Sequence, residues 1–438
     1  NSLDAEMQSL WDLKTQYQRK DDFTPEEFYE RAGIWAEFGK IICISVGYFT
    51  IKGDIRNFRV TSFFGEEKTI LKDFSNLIGN HFNKPQHIMC GHNSKEFDIP
   101  FIGLTGSNGK TTSKELLHAV LKQKFNTLAT VGNLNNHIGV PLTLLRLKPE
   151  HEIAIIEMGA NKQGDIQELC DIAEPTHGFI TNIGKAHLEG MGGPEGVLKT
   201  KTELFQHLRS NQGTVFINSQ DPILSNMTKR FEKPILYPAK GNFCEVTFLG
   251  ANPFVKFAVE GVSGEHLTSL IGAYNFGNIA NALTIGKFFG VPMEKAVEGI
   301  VNYKPENMRS QLIEKRSNLI ILDAYNANPS SMEVAIRTFG QMTGKTHKMI
   351  ILGDMFELGD HAEAEHRKLG EIVSEYPIDK VCFTGKLIVS ALEKAPKALY
   401  FPDPFSFRNW LEDSKLEDYL ILIKGSRGMK LETLVDFI

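Results

Sequence analysis

A glycine-rich turn follows an apolar segment in the stretch FIGLTGSNGKTT, residues 101–112, and its residue types suit the phosphates of a nucleotide. Gly106 and Gly109 lack a Cβ, so the backbone can curve around an anion, and the helix that follows adds its positive end. Lys110 supplies a positive charge, and the Thr111 hydroxyl can bind Mg²⁺. The first glycine of the strict G-x-x-x-x-G-K-[ST] pattern is replaced by leucine. The plainer alternative is a glycine turn between a strand and a helix.

Three further side chains are candidates for a metal site. Glu157 ends an apolar segment, where a carboxylate can bind Mg²⁺ beside Thr111. His187 follows the end of another apolar segment, and Lys201 lies in a helical pattern. Taken singly, each has a plainer interpretation: a solvated strand-end glutamate, a structural histidine and a solvated lysine.

The segment GNLNNHIGVP, from Gly132 to Pro141, places three asparagines and two glycines in one loop. This asparagine loop is too polar for a core and suits an anionic or amide-bearing ligand, although a plain turn would have a similar composition.

Strands and helices alternate from Phe101 to about Gly299, which predicts a parallel sheet with helices on its faces. The predicted strands are Ile99–Leu104, Glu152–Met158, His177–Ile183 and Gly213–Asn218. Glycine-bearing turns stand at their carboxyl ends, where ligands bind in open α/β sheets.

A second α/β block is predicted downstream and indicates a small doubly wound domain. Its strands are Leu319–Asp323, Lys348–Leu352, Lys380–Thr384 and Tyr419–Lys424, with a helix at His361–Tyr376. The first hundred residues contain no nucleotide loop. There we predict helices at Glu6–Lys20 and Leu71–Phe82 and a strand at Lys40–Phe49.

Bulk properties fit a globular protein: 438 residues carry a formal charge of -5, which gives no reason to expect nucleic acid as a partner. Five cysteines without a C-x-x-C pair suggest neither disulfides nor a zinc site, so a reducing cytoplasm is expected. Apolar runs are too short for insertion into a membrane.

From about Phe101 to the end, the motifs resemble those of the Mur ligase family. The most specific are GNLNNHIGVP and DAYNANPSSM (Asp323–Met332), while TGSNGKTT, EMGA, TNIGKAHLEG and ILGDMFELG support the family more broadly. The resemblance implies a central P-loop ATPase domain with a parallel sheet at 101–308 and a Rossmann-like C-terminal domain at 309–438.

That resemblance also implies an activity. D-alanyl-D-alanine would be joined to UDP-N-acetylmuramoyl-tripeptide through an acyl phosphate, with ATP consumed, in peptidoglycan precursor synthesis. The implied protein is a monomer.

Residue roles follow from the same resemblance. ATP phosphates would be bound by Gly106, Ser107, Asn108, Gly109, Lys110, Thr111 and Thr112, and the rest of the nucleotide would contact Asn275, Arg309, Asp323 and Tyr325. Thr111 and Glu157 would bind one Mg²⁺, and His187 with Lys201, carbamylated by CO₂, would bind a second. Asn133 and Asn136 would face the reacting carboxylate, and Lys424, Ser426 and Arg427 are candidate contacts for the dipeptide.

Residues 1–100 show no counterpart of the family's UDP-binding domain. They resemble a partial RNase H-like α/β block, a fragment of a DnaQ-like 3′-5′ exonuclease in which only Asp98 of the acidic metal ligands is visible. One acid cannot hold two metal ions, so we expect no nuclease activity. The interpretation of residues 1–100 leaves two alternatives to the ligase open. One is an exonuclease-related nucleic-acid protein, and the other is an ATP-binding protein without turnover.

Overall fold

The computed structural model describes residues 99–184, 188–305 and 308–438, and before them two strands and a few helical residues. The chain divides into two compact units, residues 1–90 and 91–438. In the first unit, β1 (Cys43–Lys52) pairs antiparallel with β2 (Ile55–Phe64).

Strand β1 overlaps the strand predicted at Lys40–Phe49. The helix predicted at Glu6–Lys20, most of that at Leu71–Phe82, and Asp98 lie outside the described residues, so the exonuclease-like interpretation stays untested. The predicted domain boundary at 308/309 also stays a prediction.

The second unit begins with a six-stranded, wholly parallel sheet in the strand order β4-β5-β3-β6-β7-β8. Its elements in chain order are β3 (Phe101–Thr105), α1 (Lys110–Leu121), β4 (Thr127–Ala129), α2 (Gly139–Leu144), β5 (Ile153–Glu157), α3 (Asp165–Ala173), β6 (His177–Ile180), α4 (Leu188–Met191), α5 (Gly193–Ser210), β7 (Thr214–Asn218) and β8 (Ile235–Tyr237). The prediction of an α/β chain with a central parallel sheet is confirmed.

Alternation along the buried strands explains why helices cover both faces of this sheet. Ile153 and Ile155 of β5 join the core that includes α1, whereas Ala154 and Ile156 join the core that includes α2, α3 and α5. All five positions of β5 are buried, which is why the strand appears in the sequence as a continuous apolar run. Its last residue is the acid Glu157, at the carboxyl edge of the sheet.

An antiparallel sheet of three strands then follows, in the order β11-β10-β9, and the sequence analysis missed it. Its strands are β9 (Val246–Ala251), β10 (Phe254–Val259) and β11 (Val262–Ile271), and they precede α6 (Phe276–Phe288) and α7 (Met293–Val301). Burial alternates along β10, as expected for a strand with one face on the core.

A mixed sheet forms the C-terminal part of the unit, in the order β12-β13-β17-β14-β15-β16. Its elements are β12 (Gln311–Lys315), β13 (Asn318–Asp323), α8 (Pro329–Gln341), β14 (His347–Gly353), α9 (Ala362–Ser374), β15 (Lys380–Thr384), β16 (Leu399–Phe401), α10 (Pro404–Ser414) and β17 (Tyr419–Lys424). The predicted doubly wound core is present, but β12 pairs antiparallel with β13 because a two-residue turn joins them and Arg316 adopts a positive φ of 54°.

Across the described residues, no helix has the length and apolar character needed to cross a membrane.

Candidate active site

The turn between β3 and α1, the phosphate loop, requires glycine at two positions. Gly106 has φ 146°, and a Cβ there would lie 1.9 Å from Oγ1 of Thr181. Gly109 has φ 76°, and its Cβ would lie 3.0 Å from the side-chain amide of Asn278. Glycine is required at both positions because the side chains of Thr181 and Asn278 occupy the space that a Cβ would need.

A loop after β6 braces the phosphate loop. Asn182 accepts a bond from the Asn108 N–H at its Oδ1 and donates from Nδ2 to the Asn108 carbonyl, both at 3.0 Å. Thr181 Oγ1 donates to the same carbonyl at 2.6 Å. These bonds hold the phosphate loop in place without occupying the amides of Gly109 and Lys110.

Lys110 lines a large cleft in this unit, described below. Its Nζ donates to the carbonyl of Gly106 at 2.8 Å. Burial lowers its pKa, the nearby Glu157 opposes this effect, and Arg309 adds to it. The side chain thus curls over its own loop, where its charge can meet a phosphate together with the start of α1.

Glu157 is 1 % exposed and lies beside the first turn of α1. Its Oε1 accepts bonds from Thr111 Oγ1 at 3.2 Å and from Asn135 Nδ2 at 2.8 Å. Its Oε2 is buried and has no hydrogen-bond partner. A buried carboxylate oxygen needs a partner, and a divalent cation supplies one, so Thr111 and Glu157 fit the predicted magnesium site.

The second predicted metal site is only partly described, because His187 lies outside the described residues. Lys201 is 1 % exposed in α5. Burial, with a smaller contribution from Lys110, lowers its pKa to about 7, so a large fraction of its amine is neutral near neutral pH. Among the residues described, no group of three or more His, Cys, Asp or Glu side chains could bind a metal by itself.

The C-terminal part of the unit also contributes residues that line the cleft. The Arg309 guanidinium carbon lies 3.8 Å from the ring centre of Tyr325, and its buried Nε has no partner. Asp323 Oδ2 accepts a bond from Lys424 Nζ at 2.6 Å. Lys424 is therefore paired with Asp323, a predicted nucleotide contact, in the lining of the cleft.

The other two candidate dipeptide contacts make local bonds elsewhere. Ser426 is buried, and its Oγ accepts a bond from the Phe356 N–H at 3.0 Å. Arg427 donates to Glu432 Oε1 at 2.9 Å. Neither residue is among those lining the cleft that holds Lys424.

A single cleft of about 1190 Å³ gathers most of the predicted residues. Those that line it are Ser107, Asn108, Gly109, Lys110, Thr111, Thr112, Asn133, Asn136, Glu157, Asn275, Arg309, Asp323 and Tyr325. Gly106 and Lys201 are not among the lining residues.

Direct hydrogen bonds join the phosphate loop to the start of helix α8. Asn108 Nδ2 donates to Ser330 Oγ at 2.9 Å, and Asn328 Nδ2 donates to Asn108 Oδ1 at 2.8 Å. Asn328 also caps α8 by accepting a bond from the Ser331 N–H. A phosphate-loop side chain is thus tied to the first turn of a C-terminal helix.

Sequence reasoning missed several polar residues that shape this site. Asn278 Oδ1 accepts a bond from Ser113 Oγ at 2.9 Å and its Nδ2 donates to Asn275 Oδ1 at 3.0 Å. Lys114, fully buried in α1, donates to the Thr130 carbonyl at 2.7 Å, at the root of the asparagine loop. A lysine on the buried face of an amphipathic helix was the available signal for this residue.

Comparison with known proteins gives a consistent result. Residues 104–286 match the Mur ligase middle domain, and residues 308–427 match the family described as Mur ligase, glutamate ligase domain. The UDP-N-acetylmuramoyl-tripeptide--D-alanyl-D-alanine ligase of Bacillus subtilis is 35% identical over 78% of this chain and 76% of its own length. The Escherichia coli protein of the same name is 34% identical over 76% and 75%.

Solved structures agree with the sequence matches. A crystal structure of MurF from Acinetobacter baumannii has a TM-score of 0.72 at 29% identity and covers 88% of this chain and 83% of that one. MurF ligase from Thermotoga maritima, solved in complex with ADP, has a TM-score of 0.70 at 27% identity, with coverage of 82% and 86%. The chain belongs to the Mur ligase family. It is an ATP-dependent amide ligase.

Proposed function

We propose that this protein joins D-alanyl-D-alanine to UDP-N-acetylmuramoyl-tripeptide with consumption of ATP, the reaction for which its Bacillus subtilis and Escherichia coli relatives are named. The observation that carries the proposal is the shared cleft, in which the phosphate loop meets the asparagine loop. Such a cleft brings a γ-phosphate next to a polar surface suited to a carboxylate and an amide.

The chemistry explains why a phosphate loop and a polar surface must adjoin. A carboxylate is a poor electrophile, so its oxygen first attacks the γ-phosphorus of ATP, which releases ADP and leaves an acyl phosphate. The amine of the dipeptide then attacks the acyl carbon, forming the amide and releasing phosphate and a proton. Both steps concentrate negative charge near Lys110, whose ammonium and adjoining loop amides stabilise that charge.

Magnesium would supply further stabilisation of the phosphate charge when bound. We assign one ion to Thr111 and Glu157, since Glu157 Oε2 is buried without a partner. We assign a second to His187 and a carbamylated Lys201, whose lowered pKa favours the neutral amine that CO₂ requires. Use of ATP favours a cytoplasmic location, and the monomeric state stays a prediction.

The ATP-binding alternative depends on how residues 1–100 are interpreted from their sequence. The exonuclease alternative rests on the same residues. One set of assays separates the three proposals. Phosphate release from ATP is measured with UDP-N-acetylmuramoyl-tripeptide and D-alanyl-D-alanine present together, and each is then omitted in turn. Digestion of single-stranded DNA is measured on the same preparation.

The ligase proposal requires phosphate release that depends on both substrates and is lost in Lys110→Ala. Phosphate release with no dependence on the dipeptide would contradict it. ATP binding without release would support the inactive ATP-binding protein. Nucleotide release from DNA by both wild type and Lys110→Ala would support the exonuclease.

A further inference from the structure

We infer that Asn135 is a positioning residue that orients the Glu157 carboxylate toward the magnesium ion. This inference rests on the proposed metal role of Glu157. Asn135 is the middle asparagine of the asparagine loop and was not among the predicted site residues.

The hydrogen bonds at Glu157 are divided unequally between its two oxygens. Oε1 accepts both available donors, Asn135 Nδ2 at 2.8 Å and Thr111 Oγ1 at 3.2 Å. Oε2 accepts none and is buried. A carboxylate whose one oxygen is fully occupied can offer the other to a cation without rotating.

The bond from Thr111 is compatible with metal binding by the same hydroxyl. When Thr111 donates its only proton to Glu157, the lone pairs of Oγ1 remain free for a cation. The second donor to Oε1 therefore has to come from another residue, and Asn135 provides it. An amide does so without adding charge beside the carboxylate.

Asn135 is itself held on both sides. Its carbonyl accepts a bond from the Gly159 N–H at 2.7 Å. A Cβ on residue 159 would lie 2.7 Å from Asn135 Oδ1 and 2.8 Å from its Cγ. A side chain at position 159 would therefore displace the Asn135 amide from its place against Glu157.

The neighbouring asparagines are occupied differently. Asn136 Oδ1 accepts bonds from the N–H groups of Ile138 and Gly139 and so stabilises the start of α2. Asn133 is exposed, and its carbonyl accepts a bond from the Asn135 N–H at 2.7 Å. Of the three side chains, that of Asn135 makes the contact with Glu157.

The test measures binding of Mn²⁺, as a spectroscopic substitute for Mg²⁺, to the full chain loaded with ADP. Asn135→Ala removes the donor, and Gly159→Ala pushes the amide aside without removing it. Glu157→Gln serves as the reference for loss of the ligand. Asn226→Ala is the matched control, because Asn226 is exposed and its Nδ2 bonds only to the nearby Pro222 carbonyl. ADP affinity in EDTA is measured for every variant.

We expect Mn²⁺ to bind about tenfold or more weakly in Asn135→Ala, the loss typical of residues that support metal ligands. Gly159→Ala should change in the same direction, Asn226→Ala should match wild type, and ADP affinity in EDTA should stay unchanged throughout.

Mn²⁺ affinity within about twofold of wild type in Asn135→Ala, alongside a large loss in Glu157→Gln, would overturn the inference and leave the metal site intact. Loss of ADP affinity in EDTA by Asn135→Ala would also overturn it, since the residue would then support the loop as a whole. Normal Mn²⁺ affinity in Glu157→Gln would instead refute the proposed metal site on which the inference rests.

Discussion

Burial of Lys201 makes the free energy of unfolding depend on pH. Its pKa falls to about 7, mainly because burial disfavours the charged ammonium, and Lys110 lowers it further. Glu203 and Asp165 oppose the change. The unfolded chain keeps the ordinary lysine value of 10.5.

The size of the effect follows from the gap between these two values. One pH unit corresponds to about 1.4 kcal/mol, so holding Lys201 protonated in the folded protein costs about 5 kcal/mol at and below pH 7. Between about pH 7 and 10.5 the unfolded chain binds more protons than the folded one at this site. The contribution of Lys201 to the free energy of unfolding therefore rises with pH, by about 1.4 kcal/mol per unit.

The assay compares urea unfolding of wild type and Lys201→Met at several pH values between about 7.5 and 9.5, in CO₂-free buffer. Methionine has a similar length and does not titrate. We expect wild type to gain about 1.4 kcal/mol per pH unit relative to the variant. Lys199→Met is the matched control, since Lys199 is exposed on the same helix and should not change the slope.

Equal pH slopes for wild type and Lys201→Met would refute the assignment of a depressed pKa to Lys201. The same result would also remove the physical basis for carbamylation of Lys201. If the reasoning is correct, bicarbonate near pH 8 should add one CO₂ to wild type, detected by mass spectrometry of the intact protein, and none at Lys201→Met.

Three further predictions concern the phosphate loop and its supports. Gly106→Ala should weaken ADP binding at least about tenfold, because its Cβ would strike Thr181 Oγ1; calorimetric titration checks this. Gly241→Ala, with φ 80° and open space around it, is the control, and equal losses in both would contradict the steric argument. Asn328→Ala should lower the free energy of unfolding by about 1–2 kcal/mol, since it removes a helix cap and a bond to the phosphate loop; an unchanged urea midpoint would disprove this. Lys114→Met should cost about 2–3 kcal/mol in the same assay, because the buried Thr130 carbonyl loses a charged donor, and a neutral or stabilising result would contradict this.

The central sheet and the phosphate loop could be predicted because their signals are local. Strands β3 and β5 are buried on both faces, so they appear as short apolar runs followed by a glycine turn or an acid. Phosphate binding favours a glycine, a lysine and a hydroxyl residue in succession, and these are Gly109, Lys110 and Thr111.

The antiparallel sheet β9–β11 was missed for the opposite reason. It lies between two α/β segments, and β9 lacks the alternation of buried and exposed positions that identifies a half-buried strand. The antiparallel β12 was missed because one short hairpin at a sheet edge hardly changes the overall alternation of strands and helices.

The sequence by itself determined the class of chemistry: a nucleotide phosphate site at the end of a parallel strand, with an acid and an asparagine loop nearby. Tertiary structure alone decided which asparagine contacts the acid, which residues brace the loop, and that Asn108 bonds to Asn328, 220 positions away. The physical reason is that phosphate binding depends on backbone shape, which neighbouring residues encode. The orientation of a carboxylate depends on hydrogen bonds from whichever segments the fold brings within about 3 Å.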